Sequence, residues 1–414
     1  MNSISHRALE GRSRGYYGLL AVLAVPVIAG LWAAHYMESN GHYVTGMSNQ
    51  IVWGMPHVFA VFLIVAASGA LNVASVASVF DRPLYKPMAR LSGLLAIALL
   101  VGGLAVLVLD LGRPDRLIVA MTHYNFKSIF AWNIFLYTGF VAIVVVYLWM
   151  QMERRMNGFV KPVGYLAFVW RLVLTTGTGS IFGFLVARQA YDATLMVPLF
   201  VTMSFSFGTA AFILLVLSLC RWAGCPLGNE VMERLRRLQG VFVIVVLYMV
   251  VVFHVSKLYI TNQHGIESFI LLDGGAVTLM FWLGQIVIGS LMPLAILYSP
   301  YTRHSRAWTA VGTALVMVGG LAQIYVIIIA AQTYPLEIFP VKIVVESSFF
   351  DGAIVGYHPG MPEIMLGIGG VALALLIVSL AMKVLPFVPE TLADTRDSPE
   401  TDSVDAPPAT ESAA

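Results

Sequence analysis

Several ionisable side chains lie inside or at the ends of long apolar runs, where an unpaired charge is costly. They are His57, Asp110, His254, Lys257, Asp273 and Glu363, with Arg171 deeper inside a run. Imidazole and carboxylate groups in such surroundings have easily shifted pKa values, and so they are suited to accepting and releasing protons. These residue types favour proton exchange with a ligand that has a polar head and an apolar tail.

The elements that must position these residues follow from the composition. Of the 414 residues, 59% are apolar and 11% are charged, and the mean hydropathy is +0.83. A soluble protein carries about one quarter charged residues, so that class is excluded. Apolar runs long enough to cross roughly 30 Å of hydrocarbon as helices recur along most of the sequence. We expect an all-α integral membrane protein.

Polar breaks divide the apolar sequence into ten predicted transmembrane helices. They cover 17–37, 51–80, 88–111, 127–150, 163–188, 193–220, 238–261, 273–298, 307–332 and 361–385. A basic tail, residues 1–16, precedes this membrane domain of residues 17–385. Residues 386–414 are acidic and rich in Pro, Ser and Thr, a composition typical of a disordered tail.

The basic residues predict the orientation of the protein. Of the 24 Lys and Arg, 17 fall in the tails and loops of one side and five in the loops of the other. Because cytoplasmic loops carry the excess of basic residues, both termini are expected to be cytoplasmic. Most of the ionisable groups at membrane depth then lie near the outer leaflet. A pocket there would suit a quinone, whose head needs hydrogen bonds while its tail stays in lipid.

The helical period assigns roles to individual side chains. His57, Ser68, Asn72 and Ser75 share one predicted face of the second helix. We predict proton acceptors at His57, Asp110 and His254, ligand contacts at Ser68, Asn72 and Lys257, and a proton path at Arg171 and Asp273. Alternatives remain: Ser68 can be packing between helices, Lys257 can extend to the interface, and Arg171 can pair with a carboxylate. Arg113 or Arg116 is expected to compensate Asp110 at a helix C-terminus.

Cys220 and Cys225 are the only cysteines. Two thiols cannot supply a four-cysteine iron–sulfur site, and the sequence contains no CxxCH haem attachment motif. We therefore predict no covalent haem and no metal site in this protein. Any redox chemistry would use a diffusible cofactor.

A group of motifs resembles a known family. The segment Leu109–Arg116 contains Leu-Gly-Arg-Pro, and Asn125-Phe126-Lys127-Ser128 and Trp132 follow it. With Trp53-Gly54-x-Pro56 and the small run Ser68-Gly69-Ala70, these motifs resemble the NrfD/PsrC family of quinone-interacting membrane subunits. Within the family the sequence looks most like the DsrP-type subunits of the DsrMKJOP complex.

The resemblance implies two four-helix bundles plus two extra helices. It also implies a menaquinone or ubiquinone site near the periplasmic face, to which Arg113, Asn125 and Trp132 would contribute. Electrons would pass to or from a periplasmic ferredoxin-like iron–sulfur subunit, with cytochrome c and other membrane subunits as further partners. Ser68 stands where some relatives carry a histidine, so that ligand does not transfer to this protein.

The expected function is that of one subunit of a respiratory or sulfur-metabolism complex in the bacterial inner membrane, not a complete enzyme. The partners would include the lipid bilayer and no nucleic acid. Two alternatives remain open. His57 and His254 could ligate haem b, or the protein could be a secondary transporter or ion channel, whose site would lie near the membrane midplane.

Overall fold

The computed structural model describes residues 5–335 and 353–393. Ten helices in these ranges are long and apolar enough to span a membrane: α1 (Arg14–Asn40), α2 (Met55–Ser78), α3 (Pro83–Leu109), α4 (Ile129–Met152), α5 (Arg154–Gly183), α6 (Met196–Ala223), α7 (Asn229–Tyr259), α8 (Ala276–Tyr298), α9 (Arg306–Thr333) and α10 (Met361–Val384). Short helices Leu117–Thr122 and His264–Ser268 lie in two of the connections. The protein is an all-α integral membrane protein, which confirms the predicted fold class.

The ten helices form two four-helix bundles with two helices outside them. Helices α2 to α5 pack in a closed ring, and α6 to α9 pack in a second ring. The bundles meet where α6 contacts α2 and α5, and where α9 contacts α2. The outer helices α1 and α10 pack on each other, and α10 also packs on α2 and α3.

The contact between the bundles depends on glycine. A Cβ atom placed on Gly208 of α6 would lie 2.0 Å from the carbonyl carbon of Gly69 in α2. A Cβ atom on Gly69 would lie 1.6 Å from the carbonyl oxygen of Ser204. Small residues let membrane helices approach closely where no hydrophobic effect draws them together. The small-residue run around Gly69 therefore serves the joint between the bundles.

Both ends of the described sequence lie at the same end of the molecule. Strand β1 (His6–Arg7) pairs antiparallel with β2 (Val388–Pro389), and Phe387, Val388 and Leu392 are buried. Residues 386–393 of the predicted tail thus pack at this end of the protein, whereas residues 394–414 lie outside the described residues. We call this the terminal end, and the opposite end, which carries the connections before α2 and after α3, the far end.

One helix begins well before its predicted start. The apolar run predicts that α7 begins at 238, whereas the helix begins at Asn229. Its first turns carry ion pairs, with Arg234 Nη2 2.8 Å from Glu230 Oε1 and Arg236 Nη2 2.7 Å from Glu233 Oε1. Such pairs stabilise the part of a helix that lies outside hydrocarbon. The length of the apolar run therefore underestimates the length of α7.

Two departures from a regular α-helix affect the predicted faces. In α2 the helix is interrupted at Leu71, between Met55–Ala70 and Asn72–Ser78. Within the described ranges, three segments are π-helical: Phe269–Asp273 before α8, Met280–Leu291 within α8 and Val326–Ala330 within α9. Turns of this kind are rare and often occur at functional sites.

Candidate functional site

A histidine and an aspartate join the far ends of α2 and α3. His57 lies in the first turn of α2, after Pro56 near its start, and Asp110 follows Leu109, the last residue of α3. His57 Nδ1 donates to Asp110 Oδ2 at 2.8 Å. The Asp110 side chain is 1% exposed and that of His57 is 17% exposed. A carboxylate at a helix C-terminus is unfavourable unless a donor or cation compensates it, and the compensation comes from His57.

A second histidine faces the same carboxylate. His42 Nε2 lies 3.8 Å from Asp110 Oδ1, and the His42 side chain is 32% exposed. That distance is too long for a hydrogen bond, and both atoms are buried without a hydrogen-bond partner among the described residues. Asp110 thus has one carboxylate oxygen bonded to His57 and one oxygen without a bond among the described residues.

The glycine of the Leu-Gly-Arg-Pro motif makes room for this arrangement. Gly112 has φ +69°, and a Cβ atom there would lie 3.0 Å from His42 Cε1. Positive φ at this position favours glycine. The motif thus turns the backbone directly after Asp110 and lets the His42 ring lie against it.

An aromatic cluster stands beside His57. The Trp53 ring stacks on the His57 ring with centroids 6.0 Å apart and planes at 24°. Trp53 also contacts Phe130 at 6.1 Å, Phe182 at 5.9 Å and Tyr191 at 6.0 Å. Aromatic surfaces next to a few polar groups are typical of sites for flat organic ligands.

Helix α9 of the second bundle holds the segment that carries Trp53. Gln332 Oε1 accepts from Val52 N and Trp53 N, both at 2.9 Å, and Gln332 Nε2 donates to Trp53 O at 2.9 Å. Gln332 is 1% exposed. The position of Trp53, and with it the ring against His57, is therefore set from the neighbouring bundle.

Helix α10 holds the same segment from the other side. The fully buried Glu363 accepts from Gly46 N at 2.7 Å, from Gly360 N at 2.6 Å and from the Tyr357 hydroxyl at 2.6 Å. Tyr357 in turn accepts from Met55 N at 2.6 Å. Burial, together with the Glu363 carboxylate, raises the pKa of Tyr357, so the phenol stays neutral and donates. Glu363, singled out as a polar group near the outer leaflet, is a brace for the start of α2.

The connection between α5 and α6 touches both bundles. Arg188 donates to Ala331 O and Gln332 O at 3.2 Å and to Gln50 O at 2.9 Å. The Tyr191 hydroxyl donates to Ile328 O at 2.9 Å, and burial raises the pKa of Tyr191, which keeps it neutral. The carbonyl end of α9, the start of α2 and this connection thus form one hydrogen-bonded layer at the far end.

The second predicted histidine belongs to another place. His254 Nδ1 donates to Glu267 Oε2 at 2.7 Å, and the Glu267 side chain is 1% exposed. The residues around His254 come from α6, α7, α8 and α9, the second bundle. His57 with Asp110 and His254 with Glu267 are thus two separate imidazole–carboxylate pairs, one in each bundle.

Lys257 is held by the protein. It is 2% exposed, and Nζ donates to Gln189 O, to Asp192 O at 3.2 Å and to Gln263 Oε1 at 3.1 Å. An ammonium has three N–H donors, and all three are occupied. The alternative of extension to the interface is wrong, and the contacts leave no donor for a ligand.

Ser68, Asn72 and Arg171 lie towards the middle of the helices, away from His57. Ser68 follows His57 by 11 residues, about 16 Å along α2. Its hydroxyl donates to Arg171 O at 3.0 Å, and Asn72 Nδ2 donates to Thr209 Oγ1 at 3.2 Å. The Ser68 and Asn72 side chains tie α2 to α5 and α6, and neither shares a site with His57.

Arg171 is buried without a carboxylate partner among the described residues. Its guanidinium lies 5.1 Å from the Phe168 ring centroid and 5.2 Å from that of Phe205. Nη1 donates to Ser68 O at 3.4 Å, whereas Nε has no partner. Pairing with a carboxylate, the structural alternative, is wrong, because aromatic faces and a backbone carbonyl surround the cation.

The remaining predicted residues are exposed at the far end. Arg113 pairs with Asp115 at 2.9 Å, so the expectation that it compensates Asp110 is wrong. Asn125 Oδ1 accepts from Lys127 N at 3.0 Å in a turn before α4. Trp132 Nε1 donates to Phe126 O at 2.9 Å, and exposed Asp273 accepts from Ser268 Oγ at 2.7 Å. None of these side chains contacts His57 or Asp110.

Four residues of these networks were missed from the sequence: His42, Glu267, Gln332 and Tyr357. All four lie in connections or at a helix end, where the helical period of the sequence does not predict which residues meet. His42 alone carried a signal, since it is a histidine in a connection on the same predicted side as His57 and Asp110.

Comparison with known proteins agrees with this architecture. The sequence is 26% identical over 389 residues to the Hdr-like menaquinol oxidoreductase integral membrane subunit of Archaeoglobus fulgidus, covering 94% of this protein and 98% of the relative. It is 23% identical over 305 residues to a polysulfide reductase component of Wolinella succinogenes, covering 69% of this protein and 96% of the relative.

A third relative is a selenate reductase component of Mesobacillus selenatarsenatis, 22% identical over 418 residues, covering 90% of this protein and 93% of the relative. The family model described as polysulphide reductase, NrfD, matches residues 43–335. This range contains both bundles, and the protein therefore belongs to the NrfD family.

Proposed function

We propose that this protein is the quinone-binding membrane subunit of a multi-subunit oxidoreductase. The observation that carries the proposal is the His57–Asp110 pair, a buried proton acceptor beside an aromatic cluster at the far end of the first bundle. The names of the relatives, a menaquinol oxidoreductase subunit and components of two reductases, support the same class of function. The first of these names favours menaquinol as the quinone.

The residues fit the head of a quinol. A quinol hydroxyl needs an acceptor for its hydrogen and a donor or proton for its oxygen. Asp110 Oδ1 and His42 Nε2 are buried and have no partner in the part of the protein that the structure describes. The Trp53 ring offers a flat apolar surface. A bound quinol supplies two electrons and two protons.

The imidazole of His57 is set up to take a proton. Its Nδ1–H is committed to the Asp110 carboxylate, which fixes the tautomer and leaves Nε2 as the basic nitrogen. The Asp110 charge then stabilises the imidazolium that forms, as an orienting carboxylate does beside other catalytic histidines. The His57 side chain is 17% exposed, which offers a proton taken at Nε2 an exit to solvent.

The electrons would leave through a partner. The protein holds two cysteines, Cys220 and Cys225, and Cys225 lies at the terminal end, where its thiol contacts Pro389 O at 3.3 Å, away from the His57 site. We therefore infer an electron acceptor in a ferredoxin-like iron–sulfur subunit docked on the far end. The excess of basic residues in the connections of the terminal end supports a cytoplasmic position for that end. The far end would then be periplasmic, in a bacterial inner membrane.

Purified complex tests this function. The rate of oxidation of a short-chain menaquinol should fall about 100-fold or more in His57→Asn and Asp110→Asn, the size expected for loss of a general base. Asp115→Asn is the matched control, since Asp115 is an exposed carboxylate of the same end paired with Arg113. Equal rates for Asp110→Asn and Asp115→Asn would show that the His57–Asp110 pair does not serve quinol oxidation.

A further inference from the structure

The second bundle contains a small cavity that the His57 site does not use. Its volume is about 30 Å³, and it is lined by helices α6 to α9 together with the connections before α6 and before α8. Three polar side chains line it, His254, Gln285 and Gln323, and apolar side chains form the rest of the wall. A volume of this size can hold one water molecule.

One polar side chain at the cavity lacks a hydrogen-bond partner among the described residues. Gln323 is 3% exposed, and its Nε2 is buried without a hydrogen-bond partner. An unpaired buried amide is costly. His254 commits Nδ1–H to Glu267, which leaves Nε2 as an acceptor. Gln285 is 5% exposed. The cavity thus has a donor and an acceptor on different helices.

The backbone around the cavity is irregular at three places. Ile270, Gln285 and Val326 each lie in a π-helical segment, and all three line the cavity. A π-helical turn adds a residue to the helix and redirects the side chains around it. Three such segments around one cavity are an independent sign that the space is maintained.

We propose that this cavity binds one water molecule, held by Gln323, Gln285 and His254. The water accepts from Gln323 Nε2 and donates to His254 Nε2. The series Glu267–His254–water forms a second acid–base site, separate from the pair in the first bundle. This inference goes beyond the proposed function and does not depend on it.

Hydroxyl-radical footprinting of the purified full-length protein tests the proposal. X-ray radiolysis of a bound water oxidises the side chains next to it, even where bulk solvent has no access. Met196 lines the cavity and is 2% exposed, whereas Met203, on the same helix, is 0% exposed and does not line it. We expect Met196 to be oxidised several-fold faster than Met203. Equal, background rates at the two methionines would overturn the proposal.

A variant tests the same site through its effect on thermal stability. Gln323→Leu should abolish the excess oxidation of Met196 and lower the thermal unfolding temperature, because the water and His254 lose a partner. In a dry cavity the same change would remove an unpaired amide and raise the unfolding temperature, which would overturn the proposal. Gln285→Leu provides a second variant if the first does not fold. Asp110→Asn should leave the labelling of Met196 unchanged.

Discussion

His42 and His57 approach one carboxylate from opposite sides: His57 Nδ1 lies 2.8 Å from Asp110 Oδ2, and His42 Nε2 lies 3.8 Å from Asp110 Oδ1. The three residues come from the connection after α1, the start of α2 and the end of α3. One carboxylate oxygen is bonded and the other is free. This asymmetry is the reason that the proposed function assigns the quinol hydroxyl to Asp110 Oδ1.

Gly112→Ala should reduce quinol oxidation by displacing His42. The new Cβ atom would lie 3.0 Å from His42 Cε1 at φ +69°, and the strained backbone costs about 1 kcal/mol. Gly224→Ala is the control, since Gly224 has φ +63° and no atom within 4 Å of its Cβ position. Both variants should lose similar stability, and only Gly112→Ala should lose activity. Equal activities would argue against a role for His42.

Gly54→Ala should destabilise the protein strongly. Its Cβ atom would lie 2.2 Å from Glu363 Oε1 and 2.8 Å from Met47 Cγ, so the brace from α10 must move. The comparison is Gly18→Ala in α1, which meets no atom within 4 Å and should stabilise its helix by about 0.5–1 kcal/mol. Thermal unfolding in detergent measures both. An unchanged unfolding temperature for Gly54→Ala would contradict the role of Glu363.

Lys257→Met should lower stability by about 2–4 kcal/mol, since buried carbonyl groups lose charged donors. The carbonyl groups affected are those of Gln189 and Asp192. Lys86→Met is the control, because Lys86 pairs at the surface with Asp81, which is 65% exposed, and such pairs contribute about 0–1 kcal/mol. Chemical unfolding of the two variants side by side gives the difference, and similar losses would refute the structural role of Lys257.

Gln332→Met should weaken quinol oxidation although Gln332 belongs to the second bundle. It leaves Val52 N and Trp53 N without acceptors, at a cost of about 1–3 kcal/mol, and releases Trp53 from the His57 ring. Gln239→Met is the control, a buried glutamine with one bond to Ser206 Oγ at 3.2 Å. Steady-state rates of the two complexes should differ. If both retain wild-type rates, the contact between the bundles does not position the site.

The fold was largely predictable because hydropathy reports directly on burial in lipid. The ten predicted runs correspond to the ten helices, and the small run around Gly69 lies at a helix contact. The start of α7 was not predictable in this way, since Glu230, Glu233 and their arginine partners extend the helix beyond the apolar run. A polar segment can be helical, and a hydropathy profile does not predict that part of the helix.

The candidate site was predictable only in part. His57 and Asp110 were found because each is an ionisable residue at the end of an apolar run. Their pairing spans 53 positions in sequence, and no local pattern indicates which acceptor a histidine meets. The predicted depth of His254 in the membrane assigned it to the same pocket. It lies in the other bundle. Depth in the membrane does not distinguish two bundles that lie side by side. The position of His42 beside Asp110 depends on the backbone turn at Gly112.

Equilibrium binding of a short-chain menaquinone analogue to the purified protein is the most direct test of the central claim. Loss of the Asp110 carboxylate removes a charged hydrogen-bond acceptor, and Asp110→Asn should therefore bind about tenfold more weakly or worse. Asp115→Asn should bind as the wild-type protein does. Unchanged affinity in Asp110→Asn would contradict the assignment of the quinone to the His57–Asp110 pair.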